Sequence, residues 1–227
     1  MQDRNAPPLN PLPPVVWLLS LPMILAEAAF SLGANGGFFG PAAKGWRIAA
    51  MEQYGLFPEY WRARAAIGDV DGALLLRFVA YPFLHTDVTA TLFAVVILLA
   101  MGKFVGEIFR WWALLAVFFA ASALGGLAYA AVPGVSAPLF GAFPADYGLI
   151  GAFTFLLWAR LVATGANQYR AFSMIGFLML FQLVFAVVFG GNWDWVADIA
   201  GFTAGFFLSF VVAPGGWARV RDRIRQR

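Results

Sequence analysis

Six stretches of about 20 almost uncharged residues recur along this chain, near 15–34, 88–107, 111–132, 144–163, 171–190 and 194–213. That is the length at which a helix crosses a hydrocarbon core of ~30 Å. A lipid-embedded backbone must satisfy its own hydrogen bonds, so the pattern predicts an all-α, polytopic membrane protein with six transmembrane helices. With 62% hydrophobic and only 12% charged residues, the chain cannot clothe a soluble surface. Soluble enzyme, nucleic-acid binder and disordered-tail readings are therefore set aside. There is no cysteine, hence no disulfide, thiol nucleophile or thiolate metal site. The single histidine, His85, excludes any mechanism that needs two imidazoles.

The span ends carry punctuation. Pro144 suits a first helical turn and Asp194 an N-cap, while Gly190-Gly191-Asn192 and Pro214-Gly215-Gly216 are breakers. Residues 1–14 form a proline-rich leader without a basic n-region, so a cleaved signal peptide is not expected. An even number of spans puts both termini on one side, and the tail Arg219, Arg221, Arg223, Arg225 and Arg227 makes that side cytoplasmic. Lys103, Arg110, Arg160 and Arg170 agree with it. Of the 15 basic residues only Lys44 and Lys103 are lysines, a bias that gives a bacterial, inner-membrane impression. The long segment 35–87 sets Lys44, Arg47, Arg62, Arg64 and Arg77 among Trp46, Tyr54, Phe57, Tyr60 and Trp61. It reads as an amphipathic interfacial loop with short helices; the competing reading is a disordered extramembrane loop. The whole chain, 1–227, is expected to form one membrane domain with a basic tail over 214–227.

The second span opens on Arg77-Phe78-Val79-Ala80-Tyr81-Pro82-Phe83-Leu84-His85 and closes near Gly102 and Glu107. The first loop holds Trp46-Arg47 and Trp61-Arg62. The fourth span begins Gly141-Ala142-Phe143-Pro144-Ala145-Asp146-Tyr147-Gly148-Leu149-Ile150-Gly151-Ala152, and the sixth contains Ala197-Asp198-Ile199-Ala200-Gly201-Phe202-Thr203-Ala204-Gly205. In this order the features resemble the rhomboid intramembrane serine proteases, over roughly residues 70 to 213. The resemblance implies a six-helix rhomboid-like bundle with a long first loop.

Carried across residue by residue, the resemblance removes the chemistry it promises. The position of the family's nucleophilic serine is Phe143 and that of its general-base histidine is Asp198. The two oxyanion donors fall on Ala90 and Ala94. Peptide hydrolysis needs an activated hydroxyl, a base and donors aimed at the tetrahedral oxygen, and these residues supply no such set. A second register lays Gly134-Val135-Ser136-Ala137 over the serine motif and makes Ser136 the fallback nucleophile, with the fourth span starting seven residues earlier.

Two acids lie within spans, where an ionisable group is costly. Asp198 shares a helix face with Gly201 and Gly205 at i+3 and i+7. It either points into the former catalytic cavity or stays solvated near the interface. Glu27, mid-span in the first helix, has no partner evident in sequence; a hydrogen bond within the bundle, a partner protein, or a proton or substrate path all remain open. Gly141, Gly148, Gly151, Gly201 and Gly205 read as packing residues that bring helices close. His85 reads as a structural hydrogen-bonding residue, and Gln182 as an interhelical one. No cofactor and no metal site is expected. The expected partners are the lipid bilayer and a transmembrane client or complex subunit, bound without cleavage. An active protease using Ser136 and a proton- or solute-handling protein built on Glu27 and Asp198 are the alternatives.

Overall fold

The computed structural model describes residues 11–34, 39–189 and 193–215. The basic tail and the glycine breaker at 190–192 lie outside the described residues. Among the described residues the first span is α1 (Pro14–Ala34). The segment after it carries α2 (Trp46–Tyr54), α3 (Pro58–Ala66) and α4 (Gly72–Ala80). The remaining helices are α5 (Val88–Gly106), α6 (Trp111–Ala131), α7 (Phe143–Ala163), α8 (Ser173–Phe189) and α9 (Asp194–Val212). Helices α1, α5, α6, α7 and α9 are long and apolar enough to span a bilayer. The expected fifth span is the 17-residue α8, which runs to the edge of the described residues.

Helix starts follow local chemistry. Asp87 caps α5 by accepting from the Ala90 N–H at 2.9 Å, and Asp71 caps α4 through the Leu74 N–H at 2.8 Å. Pro144 occupies the first turn of α7 as expected. Asp194 corrects one expectation: Trp193 stands at the cap position of α9 and Asp194 is the first helical residue. There its charge still complements the helix N-terminus.

More than half of α6 and α7 is buried, against a third of α1, α5 and α9, so α6 and α7 form the centre of the bundle. Their core joins Val16 and Leu19 of α1, Leu98 of α5, Val117 of α6 and Leu149 of α7. Lipid tails are as apolar as leucine, so close packing and hydrogen bonds, not water exclusion, hold such helices together. The seam between α7 and α9 shows how. A Cβ on Gly205 would collide with the backbone of Gly148, one on Gly201 with Pro144, and one on Gly151 with Phe202. The contacts 144 to 201 and 148 to 205 keep one register, so α7 and α9 run parallel, side by side, with α8 returning between them in sequence.

Among the described residues the first loop carries three α-helices, and its arginines make hydrogen bonds within the protein. Arg62 donates to the carbonyls of Ala130, Val132 and Val135 and so closes the C-terminal end of α6. Arg77 donates to the carbonyls of Glu52 and Gly55. Arg64 pairs with Asp69 and Asp71. Leu56 and Leu139 exchange backbone hydrogen bonds of 3.3 and 2.8 Å, tying the loop to the segment that precedes α7.

Candidate functional site

The entrance to α7 is built on Gly141, whose φ of +89° lies in the left-handed region that favours glycine. Its N–H donates to the Tyr81 carbonyl at 3.1 Å. The next N–H, of Ala142, donates to His85 Nε2 at 3.3 Å. An accepting Nε2 means that the imidazole is neutral with its proton on Nδ1. Burial pushes the His85 pKa down to about 4, against 6.5 for the free side chain. His85 thus accepts a hydrogen bond from the segment that launches α7.

Phe143 then opens the helix, half-buried, and Asp146 follows within the first turn with no solvent exposure. The spacing of Asp198, Gly201 and Gly205 on α9 places all three on the face turned to the bundle. Asp198 is 3% exposed, so of the two sequence readings the buried one holds. From α8, Gln182 donates through Nε2 to Asp198 Oδ2 at 2.7 Å, the interhelical bond foreseen for this residue. Asp146 and Asp198 lie within each other's electrostatic reach, and Tyr147 lies within reach of both. Neither Asp146 oxygen has a hydrogen-bond partner, nor does Gln182 Oε1.

On α5, Ala94 is fully buried and Ala90 half-buried; their methyl groups offer no donor. Ser136 lies in the exposed connection between α6 and α7, outside any helix, and α7 starts at Phe143. The helix start demanded by the Ser136 register is therefore not the one observed. The buried hydroxyls of Ser122 and Ser209 are engaged by carbonyls of their own helices, Phe118 at 2.8 Å and Gly205 at 2.7 Å.

Glu27 belongs to a separate place. Arg47 of α2 donates to both of its carboxylate oxygens, at 2.9 and 2.6 Å. Ser31 and Thr91 add bonds of 2.7 and 2.8 Å. Arg47 also donates to the His85 carbonyl at 2.8 Å. The acid without an evident partner is thus the anchor of the first loop on α1 and α5. Sequence reasoning quoted Asp146 but did not single it out. The available signal was positional, an acid in the first turn of a span.

Among the described residues no three His, Cys, Asp or Glu side chains are grouped to hold a metal ion. Residues 73–215, more than half of the chain, match the Rhomboid domain family. The match holds His85, Phe143, Asp146 and Asp198 and leaves α1, with Glu27, outside it. No curated protein matches the chain.

Proposed function

Because the chain belongs to the rhomboid family, we propose that it is a catalytically silent member that binds a transmembrane client or complex subunit without cleaving it. The observation that carries this is the pair of side chains at the former nucleophile and base positions, Phe143 and Asp198. A phenyl ring has no proton to give up and no lone pair with which to attack. The carboxylate of Asp198 is engaged by Gln182. The sole imidazole is neutral, with its acceptor nitrogen occupied by a backbone N–H. Hydrolysis would need an activated hydroxyl beside a free base, and the buried hydroxyls of Ser122 and Ser209 are bound to their own helices.

Binding has its own support. The seam of α7 with α9 is locked backbone to backbone through glycines. Among the described residues helix α8 is attached through side chains, by Ile175 against Tyr147 and Ile150 with Met174, Leu178 and Met179 beside them, and by the Gln182 to Asp198 bond. It is the element whose displacement would admit another helix at the least cost. On this reading the whole chain acts as one membrane domain, α1 and the first loop included, with both termini cytoplasmic in a bacterial inner membrane.

The test is covalent labelling of the purified protein in lipid with a serine-directed fluorophosphonate, read by mass spectrometry beside an active rhomboid protease. The expected result is no modified serine under conditions that label the control fully. Site-specific modification of Ser136, abolished in Ser136→Ala together with a proteolytic product, would overturn the reading.

A further inference from the structure

The two ends of the bundle hold their cations differently. At the end that carries the first loop, Arg47, Arg62, Arg64 and Arg77 all donate to carboxylates or carbonyls of the protein, and Glu52, Glu59, Asp69, Asp71 and Asp87 stand among them. The loop is bonded to the segment that precedes α7. Gly125 of α6 meets Pro144 and Ala121 meets Gly148, so α6 runs antiparallel to α7. The turn between α5 and α6 and the turn between α7 and α8 therefore share the opposite end. Lys103 and Arg160 stand in the last turns of α5 and α7, Arg110 directly before α6, and Arg170 three residues before α8. None of these four makes a side-chain hydrogen bond or ion pair with another described residue. Glu107 is the only acid between Val88 and Ala145, and there is none from 147 to 193.

We propose that this end of the bundle is a binding face for anionic phospholipids, with Lys103, Arg110, Arg160 and Arg170 taking the headgroup phosphates. The aromatic residues beside them supply independent support. Trp111, 67% exposed, and Trp112 directly follow Arg110, and Tyr169, 75% exposed, directly precedes Arg170. Indole and phenol rings settle at headgroup level in a bilayer, so cations next to them stand in the phosphate layer and not out in the aqueous space. Phe104 and Ile108 on one turn and Phe177 beyond the other are exposed, apolar side chains for the acyl chains below. Met101 of α5 and Met174 of α8 both pack on Tyr147, Ile150 and Ile175, which brings the two cationic turns to one side of α7. A guanidinium pairs with phosphate through two donors and an ammonium as a point charge. A zwitterionic headgroup brings its own cation with its phosphate; an anionic one does not, and is attracted more strongly. Topology accounts for cations on one side of a membrane, but acids contribute little to that rule, and their near absence here is what leaves the four cations to a lipid. This face is independent of client binding.

The test places the full chain in phosphatidylcholine bilayers and compares spin-labelled phosphatidylglycerol with spin-labelled phosphatidylcholine. The motionally restricted part of each spectrum gives the relative association of the two lipids with the protein. Phosphatidylglycerol is expected to be preferred about fivefold at low salt, and much less in 1 M salt, where the screening length is about 3 Å. The combined variant Lys103→Gln, Arg110→Gln, Arg160→Gln and Arg170→Gln is expected to lose more than half of that preference. Lys44→Gln, at the first-loop end, is expected to keep all of it. Equal association of the two lipids with the unmodified protein overturns the proposal without recourse to a variant. A combined variant that keeps more than half of the preference also overturns it, and assigns the lipid to the arginines of the tail. Should that variant fail to assemble, Arg110→Gln with Arg170→Gln, both on exposed turns, is read in the same way, with at least a quarter of the preference expected to go. None of these results bears on client binding, which stands or falls by its own test.

Discussion

Two places in this bundle bury carboxylates, and they are built in opposite ways. At the junction of α1, α5 and the first loop, Glu27 meets a bidentate arginine and two hydroxyls. Elsewhere in the bundle, Asp198 accepts one amide N–H from Gln182, and Asp146 has no hydrogen-bond partner. A complete set of partners makes an acid part of the scaffold, because removing any one of them strands the others. An incomplete set leaves buried oxygens without a donor. Glu27 and Arg47 lie outside the Rhomboid domain match, and Asp146, Gln182 and Asp198 lie within it.

The largest expected effect comes from breaking the complete site. Glu27→Ala leaves the Arg47 guanidinium beside the His85 carbonyl without its counter-ion, and is expected to destabilise the fold by about 3 to 5 kcal/mol. Denaturation in detergent micelles measures it. Replacing both partners, Glu27→Leu with Arg47→Met, is expected to recover most of that loss, since the cost lies in the stranded charge. Should the double variant be no better than the single one, the junction is held by the hydroxyl bonds and not by the ion pair.

Next in size is a dependence on acid. His85 is held neutral down to about pH 4, whereas the unfolded chain protonates it near 6.5. Between those values the unfolded state binds the extra proton, so stability rises with pH and is lost as the pH falls through that window. The loss amounts to about 3 kcal/mol by pH 4. Unfolding of the protein and of His85→Gln, compared from neutral pH down to about 4, checks it: the variant is expected to lack this part of the slope.

The two sites also differ in how far the sequence reveals them. The spans were legible because a bilayer imposes both length and apolarity, and their starts fell within two residues of the observed helices. The face shared by Asp198, Gly201 and Gly205 was legible because helical periodicity fixes it. The partner of Glu27 was not: Arg47 is 20 residues away in sequence, and only the fold brings the two together. The loop's aromatic and basic composition was legible, but the carbonyls and carboxylates within the protein that engage its arginines were not. Asp146 was hidden for a related reason. First-turn acids in spans usually reach water, whereas Asp146 is fully buried in the folded bundle.

The smallest effects are expected at the incomplete site, and their signs separate it from the first. Gln182→Leu removes one interhelical hydrogen bond and is expected to cost about 1 kcal/mol, with α8 loosened from α9 and more open to crosslinking. Asp146→Asn keeps the shape of the side chain and replaces a buried carboxyl whose oxygens have no hydrogen-bond partner. It is expected to be neutral or to stabilise the free protein by up to about 1 kcal/mol. Glu27→Gln, chemically the same change, is expected to destabilise, since it takes the counter-charge from Arg47. Parallel thermal unfolding of the two amide variants decides the matter. If Asp146→Asn loses as much stability as Glu27→Gln, Asp146 already has a compensating donor inside the bundle, and the distinction between the two sites collapses.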